Sequence, residues 1–186
     1  MKTTDEILKI KATLLYILKS FPDGVDYIKL FKILYFAQQD HLVKYGRGIV
    51  KENFYALKHG PVPSYSYKAL QVAAGKKIIG DFEEFLIGID VKNDLVFSKL
   101  QPDMDELSGT DVRFLNASIE KHKDINPFDL SELSHDSAWE IACKRVEDDP
   151  EQNRMTVIDI ARAGGASEKM IDYIREIQLI KKHLLS

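Results

Sequence analysis

The stretch from Asp26 to Tyr45, DYIKLFKILYFAQQDHLVKY, decides the fold. Ile28, Phe31, Ile33, Leu34, Tyr35 and Phe36 cover most of the circumference of a helix, while Lys29, Lys32, Gln39 and Asp40 fall on a narrow stripe. A helix apolar nearly all round is buried, so the segment predicts a central helix with the rest of the chain arranged about it. Lys32, Gln38 and His41 are then costly polar groups, each either hydrogen-bonded inside or turned toward a groove.

Upstream, Asp5 to Lys19 predicts a helix. Thr3 and Glu6 stand at capping-box spacing, and Phe21-Pro22-Asp23-Gly24 ends it. Downstream, Gly48-Ile49-Val50 and Phe54-Tyr55-Ala56-Leu57 read as two short strands or extended segments, and Gly60-Pro61-Val62-Pro63 as a break. A helix over Ser64–Ala74 follows, with Gly75 as its stop. Between Ile78 and Leu100, Leu86, Ile87, Ile89 and Val91 lead into a turn at Asn93-Asp94, and Leu95, Val96 and Phe97 return, which predicts a hairpin. Helices are expected over 109–122, 127–133, 135–146, 155–163 and 167–185, with breaks at Asn126-Pro127 and Glu147-Asp148-Asp149-Pro150. The fold class is mainly α (α+β): a compact multi-helix domain around a central buried helix, with a small antiparallel β insertion. Residues 1–150 form the main domain, and 151–186 a helical extension packed on it.

The chain has 186 residues and is 45% hydrophobic, enough for an ordinary core without disulfides or metals. Its lone cysteine, Cys143, forbids an intrachain disulfide and fits a reducing, cytoplasmic setting. The longest apolar runs, Leu14–Leu18 and Ile33–Ala37, are five residues, against the ~20 that a membrane helix needs. The net charge of −3 is unevenly spread. Residues 1–80 carry 13 basic and 6 acidic side chains, residues 81–151 carry 7 and 19, and residues 152–186 carry 6 and 4. The acidic middle would steer a basic partner.

Lys32-Ile33-Leu34-Tyr35-Phe36-Ala37-Gln38, then His41, Phe54, Ala56, Gly60-Pro61-Val62 and Tyr67, and later Leu133-Ser134-His135 with Trp139, form an ordered pattern. Over about Tyr27 to Ala142 it resembles the Panacea domain, the SocA-like or GepA-like phage-associated family. Lys58-His59 and Pro63 depart from the family's usual steps around Gly-Pro-Val. The resemblance implies an antitoxin of a two-gene toxin–antitoxin system, acting by direct binding of a cognate toxin protein. The family pairs one domain type with unrelated toxins, so the domain does not name the toxin. The expected toxin-binding residues present their tips to a groove beside the central helix: Lys32, Tyr35, Gln38, His59, Tyr67 and Trp139. Tyrosine and tryptophan offer broad contact area with one polar tip. Gly60, Pro61 and Val62, with Ser134 and His135, read as an architectural motif. Ser134 is placed as the N-cap of the helix carrying Trp139, and His135 on the same helix face as that indole.

Other chemistries find less support. Ser134-His135-Asp136 cannot form a nucleophile–base relay, because consecutive side chains diverge. A hydrolase using His59 or His135 would lack an activated nucleophile, so no enzymatic activity is expected. Five histidines and one cysteine show no metal-ligand spacing, and Gly164-Gly165 lacks the lysine of a phosphate loop, so neither metal nor cofactor is expected. Glu83-Glu84 and Asp148-Asp149 read as solvated faces. One alternative is a transcriptional regulator binding operator DNA. Asp159 to Ser167 followed by Ile171 resembles a helix-turn-helix core, with Ala161 as the small contact, Gly165 as the turn and Ile171 as the packing residue. Glu168, Lys169, Asp172, Arg175 and Glu176 nearly cancel its phosphate attraction. Nothing in the pattern sets an oligomeric state.

Overall fold

The computed structural model describes residues 2–78, 80–148 and 152–184. Helix α1 (Thr4–Leu18) starts at a reciprocal cap between Thr3 and Glu6, and its buried face carries Ile10, Leu14, Ile17 and Leu18. Helix α2 (Tyr27–Tyr45) opens where the Asp26 carboxylate accepts from the Lys29 N–H, and closes at Gly46 in the left-handed region (φ +66°). Leu30, Phe31, Ile33, Leu34, Tyr35 and Ala37 are all buried. At ~1.5–3 kcal/mol for each large apolar side chain, this helix holds much of the core's burial energy.

The other elements wrap α2 as a mainly helical fold with small antiparallel sheets. Strand β1 (Val25–Asp26) pairs with β5 (Leu95–Ser98), which pairs with β4 (Ile89–Lys92). Asn93 and Asp94 make the β4–β5 turn at φ +51° and +62°, the mirror-image turn that suits strand twist. Strands β2 (Phe54–Leu57) and β3 (Gly60–Pro63) form a second hairpin. Helices α3 (Ser64–Ala73), α4 (Glu83–Leu86), α5 (Gly109–His122), α6 (Pro127–Leu133), α7 (Ser137–Asp148), α8 (Val157–Ala163) and α9 (Glu168–Leu184) complete the chain. Helices α1, α5, α6 and α8 and strand β3 all pack on α2. Among the described residues no helix is long and apolar enough to cross a membrane.

Several expectations are corrected. Gly48-Ile49-Val50 is no strand, because its backbone is bonded by a side chain: Gln38 Oε1 accepts from the N–H groups of Ile49 (2.7 Å) and Val50 (3.1 Å), and Nε2 donates to Val50 O (2.9 Å). Gly60-Pro61-Val62-Pro63 is a strand rather than a break. Its register, Tyr55 opposite Val62 and Ala56 opposite Pro61, puts both prolines' missing N–H groups on the side away from β2, as an edge strand allows. Residues 153–155 pair on the other side of β2 through Ala56 N–H to Asn153 O and Met155 N–H to Phe54 O. Leu86 ends the short α4, and Ile87 is exposed at its C-cap, so the β4–β5 hairpin begins later than the apolar run suggested. Glu147 and Asp148 continue α7 rather than break it. The remaining expected break (Asp149-Pro150), the 150/151 boundary and position 185 lie outside the described residues.

Candidate protein interface

Lys32, Tyr35 and Gln38 are buried and matched from within, which corrects the expectation that they present tips to a groove. Lys32 donates to Pro61 O (2.8 Å), closing the outer edge of β3. Burial pushes its ammonium down to about 7. Tyr35 donates to Asp136 Oδ2 (2.7 Å), and Gln39 Nε2 donates to the same oxygen (2.8 Å). Burial and the Asp136 charge raise the Tyr35 phenol well above its ordinary value. Asp136 Oδ1 in turn accepts from the N–H groups of Ala138 (3.0 Å) and Trp139 (3.1 Å). Asp136 therefore caps α7, the role expected of Ser134. Ser134 instead ends α6, fully buried, with its hydroxyl donating to Ser131 O (2.7 Å). Asp136 is thus gripped by two α2 side chains on one oxygen while the other fixes the start of α7.

That grip sets the position of Trp139. Its indole N–H donates to Leu57 O (3.0 Å) at the end of β2, and its ring stacks on His135 at 3.9 Å and 19°. The β2–β3 turn carries exposed Lys58 and His59, with His59 edge-on to Phe128 of α6 (6.3 Å). Gly60 stands at φ +88°, and a Cβ there would collide with Ser134 Oγ and the Lys32 side chain. Gly60, Pro61, Ser134 and Lys32 thereby lock the hairpin onto α2 and α6, with Val62 half-buried against the core. The outcome is one face built from the hairpin tip, α6 and α7. Phe128 is 64% exposed, Leu57 and His59 are exposed beside it, and Trp139 is half-buried among them. Exposed Asp129, Glu132 and Glu140 come from the same two helices. Tyr67 lies apart, half-buried on α3 with its ring edge-on to Phe31 (6.2 Å).

The remaining ionisable groups in the interior serve packing. Glu52 caps α3 from a distance, accepting from Ser66 N–H (2.9 Å), Ser66 Oγ (2.5 Å) and Tyr65 N–H (3.2 Å). Burial raises its carboxyl despite those bonds. Buried Asp111 joins α5 to α1 and α2 through Lys9 (2.7 Å) and His41 Nε2 (3.3 Å). Burial alone would raise Asp111, yet Lys9 and Ser108 outweigh it and hold the carboxyl below its ordinary value. Ser134, His135 and Asp136 turn to Ser131, Trp139 and Tyr35 respectively, so they form no relay. Among the described residues no group of three or more His, Cys, Asp or Glu could hold a metal ion. At the α8–α9 corner Ala161 and Ile171 are fully buried and Gly165 turns at φ +87°. Arg162 pairs with Glu168 (3.5 Å) and Arg175 with Asp172 (2.8 Å).

Sequence reasoning missed Asp136, Gln39, Leu57 and Phe128. Asp136 carried a readable signal, an acid three residues ahead of Trp139 at N-cap spacing. Leu57 alternates out of phase with the buried Phe54 and Ala56, and Phe128 lies off the Leu130–Ser134 face that packs inward. Residues 30–140 match the family described as antitoxin SocA-like, Panacea domain, and neither a curated protein nor a solved structure matches the chain. With well over half its length in that match, the chain belongs to the SocA-like antitoxin family and carries its Panacea domain.

Proposed function

We propose that the chain neutralises a cognate toxin by covering it with the face made of the β2–β3 tip, α6 and α7. One observation carries this reading. Trp139 is a rigid aromatic at the surface, held by its own N–H bond to Leu57 O, by the His135 stack and by the Asp136 cap beneath it. Aromatic anchors of fixed orientation dominate interface energies because little side-chain entropy is lost on docking. Phe128 and Leu57 extend the apolar centre, and Asp129, Glu132 and Glu140 supply the acidic surroundings that would attract a basic toxin. Of the six residues expected from the sequence, His59 and Trp139 would touch the toxin, and Lys32 and Tyr35 would act through the shape of the face. Gln38, bonded to the 46–53 loop, and Tyr67, on α3, lie away from it.

The test is co-expression with the protein encoded by the neighbouring gene. That protein should arrest growth alone and be tolerated with this chain, and the two should co-purify. Trp139→Ala with Phe128→Ser should abolish both rescue and co-purification while the circular dichroism spectrum is retained. Rescue and complex formation that survive the double substitution would overturn this face as the site.

A second reading, a transcriptional regulator using α8 and α9, draws on the buried corner at Ala161, Gly165 and Ile171. Two of its exposed cations are already paired, Arg162 with Glu168 and Arg175 with Asp172, which removes charge that phosphates would need. An electrophoretic shift with the chain's own promoter DNA, lost as salt rises, would support it over the first.

A further inference from the structure

On elements that share no residue with the hairpin face, a groove of about 700 Å³ opens between the start of α1, the 46–53 loop and α9. Leu42, Ile49, Val50 and Ile177 give it an apolar lining. Lys2, Lys9, Arg47, Lys51 and Lys181 line it as well. Three acids, Asp5, Glu6 and Glu52, stand among these five cations. Lys51 and Glu6 pair with each other (2.7 Å), Lys9 reaches Asp111 (2.7 Å), and Arg47 lies 3.6 Å from that same carboxylate. Glu52 is engaged by the α3 N-terminus. Lys2 and Lys181 are then the cations of the groove with no carboxylate partner among the described residues, against Asp5. The loop wall is held rigidly. Gln38 clamps the backbone of Ile49 and Val50, and His41 Nδ1 lies 2.8 Å from Arg47 O.

The opposite wall is half of an unfinished packing surface. Ile171 and Ile174 bury one side of α9 against the body. Tyr173, Ile177, Ile180 and Leu184 recur at spacings of four, three and four along another side. Tyr173 and Ile177 line the groove, and the stripe continues past its end, where Leu184 is 79% exposed. This is the pattern of a helix that expects another helix alongside it.

We propose that this groove binds an acidic amphipathic helical segment of a partner protein. Its apolar side chains would lie over Ile49, Val50, Ile177 and the α9 stripe, and its carboxylates would face Lys181, Lys2 and Arg47, with Lys51 shared between them and Glu6. Charge and the apolar lining choose this occupant over the others. A second copy of α9 would bring Lys181, Lys182 and His183 against a rim already rich in lysine. A nucleic acid would leave the apolar floor of Leu42, Ile49, Val50 and Ile177 uncovered, which the apolar face of a helix would fill. The inference goes beyond toxin neutralisation and does not depend on it.

The test is fluorescence anisotropy on the full chain with a fluorescein-labelled helical peptide bearing leucine on one face and glutamate on the other. Two comparison probes are its isomer with lysine for every glutamate and a labelled oligothymidine. The acidic peptide should bind at least about tenfold more tightly than the lysine isomer, and less tightly as salt rises. Lys51→Glu with Lys181→Glu, both at exposed positions, should reverse that order, and Ile177→Asp should weaken the acidic peptide about tenfold or more. Trp139→Ala should leave peptide binding unchanged, so failure of the toxin face and failure of the groove are read separately. If Ile177→Asp unfolds, the charge-reversal pair decides. Equal binding of the two peptides, tighter binding of oligothymidine, or an order unmoved by charge reversal would overturn the proposal.

Discussion

Lys32, Tyr35, Gln38 and Gln39 come from one helix and reach only the inside of the molecule, whereas Leu57, Phe128 and Trp139 come from three elements and meet solvent on one face. The two sets are joined by single bonds: Lys32 to the edge of β3, and Tyr35 and Gln39 to the aspartate that caps α7. The inner set thus fixes shape, and the outer set is the one proposed to make contact. Substitutions in the first should register in stability and in the second in partner binding, so any variant that crosses the two readouts tests the division.

The largest effect is expected at Gln38. Alanine there orphans the buried N–H groups of Ile49 and Val50 and leaves a void, so Gln38→Ala should cost about 3 kcal/mol or more in urea denaturation. A loss near zero would mean that water replaces the amide and that the loop is not splinted from within.

Lys32 gives the next largest effect, through pH. Its folded value falls to about 7 from an ordinary 10.5 because burial disfavours the charge. Below pH 7 both folded and unfolded chains hold the proton, and the full penalty is present. Between about 7 and 10.5 the unfolded chain keeps a proton that the folded one has released, so stability should rise with pH, by up to about 1.4 kcal/mol per pH unit. Lys32→Met should flatten that rise. The observable is the difference between variant and wild-type stability measured at pH 7 and pH 9, and a difference constant across the window would contradict the assignment.

Trp139→Ala should act the other way round. It should weaken toxin binding by about 2 kcal/mol, roughly thirtyfold, at a stability cost of about 1–2 kcal/mol from the lost Leu57 bond and half-buried ring, smaller than that of Gln38→Ala. Tyr35→Phe sharpens the link between the two sets. Asp136 keeps Gln39 and both of its backbone donors, so the loss of one hydroxyl should cost about 1 kcal/mol in stability, read by thermal or urea denaturation.

The division also explains what the sequence disclosed. The period of Asp26–Tyr45 announces a buried helix, because burial on all sides leaves its mark on residue type at every turn. The Asn93-Asp94 turn shows for a similar reason, since few residue types tolerate a positive φ. Which way a polar side chain on a buried helix turns has no such mark. Gln38 could have faced a groove or a backbone, and only the loop that folds over it, eleven and twelve residues on, settles the matter. The misread strand at Gly48–Val50 is the same event seen from the other partner, a backbone whose bonds go to a side chain instead of a neighbouring strand. The contact face is legible in part. Trp139 stands in the family's pattern and His59 directly precedes its Gly-Pro-Val step, but Phe128 and Leu57 become neighbours of Trp139 and His59 only through the hairpin's docking on α6 and α7.

The smallest expected effect is at His59, and it tests whether the hairpin tip is a surface in its own right. The imidazole is exposed and meets Phe128 edge-on at 6.3 Å, while Gly60 next to it supplies the turn geometry and the contact with Ser134 and Lys32. Removing the ring therefore leaves the turn, the β2–β3 register and the Lys32–Pro61 bond in place. His59→Ala should change stability by no more than about 0.5 kcal/mol. Toxin affinity should fall by only a few fold, because a rim residue mainly shields the anchor beside it from water. Differential scanning calorimetry and a toxin titration on the same preparation separate the outcomes. A large drop in melting temperature would place His59 with the inner set, and a loss of affinity as large as that of Trp139→Ala would move the centre of the face from α7 to the hairpin tip.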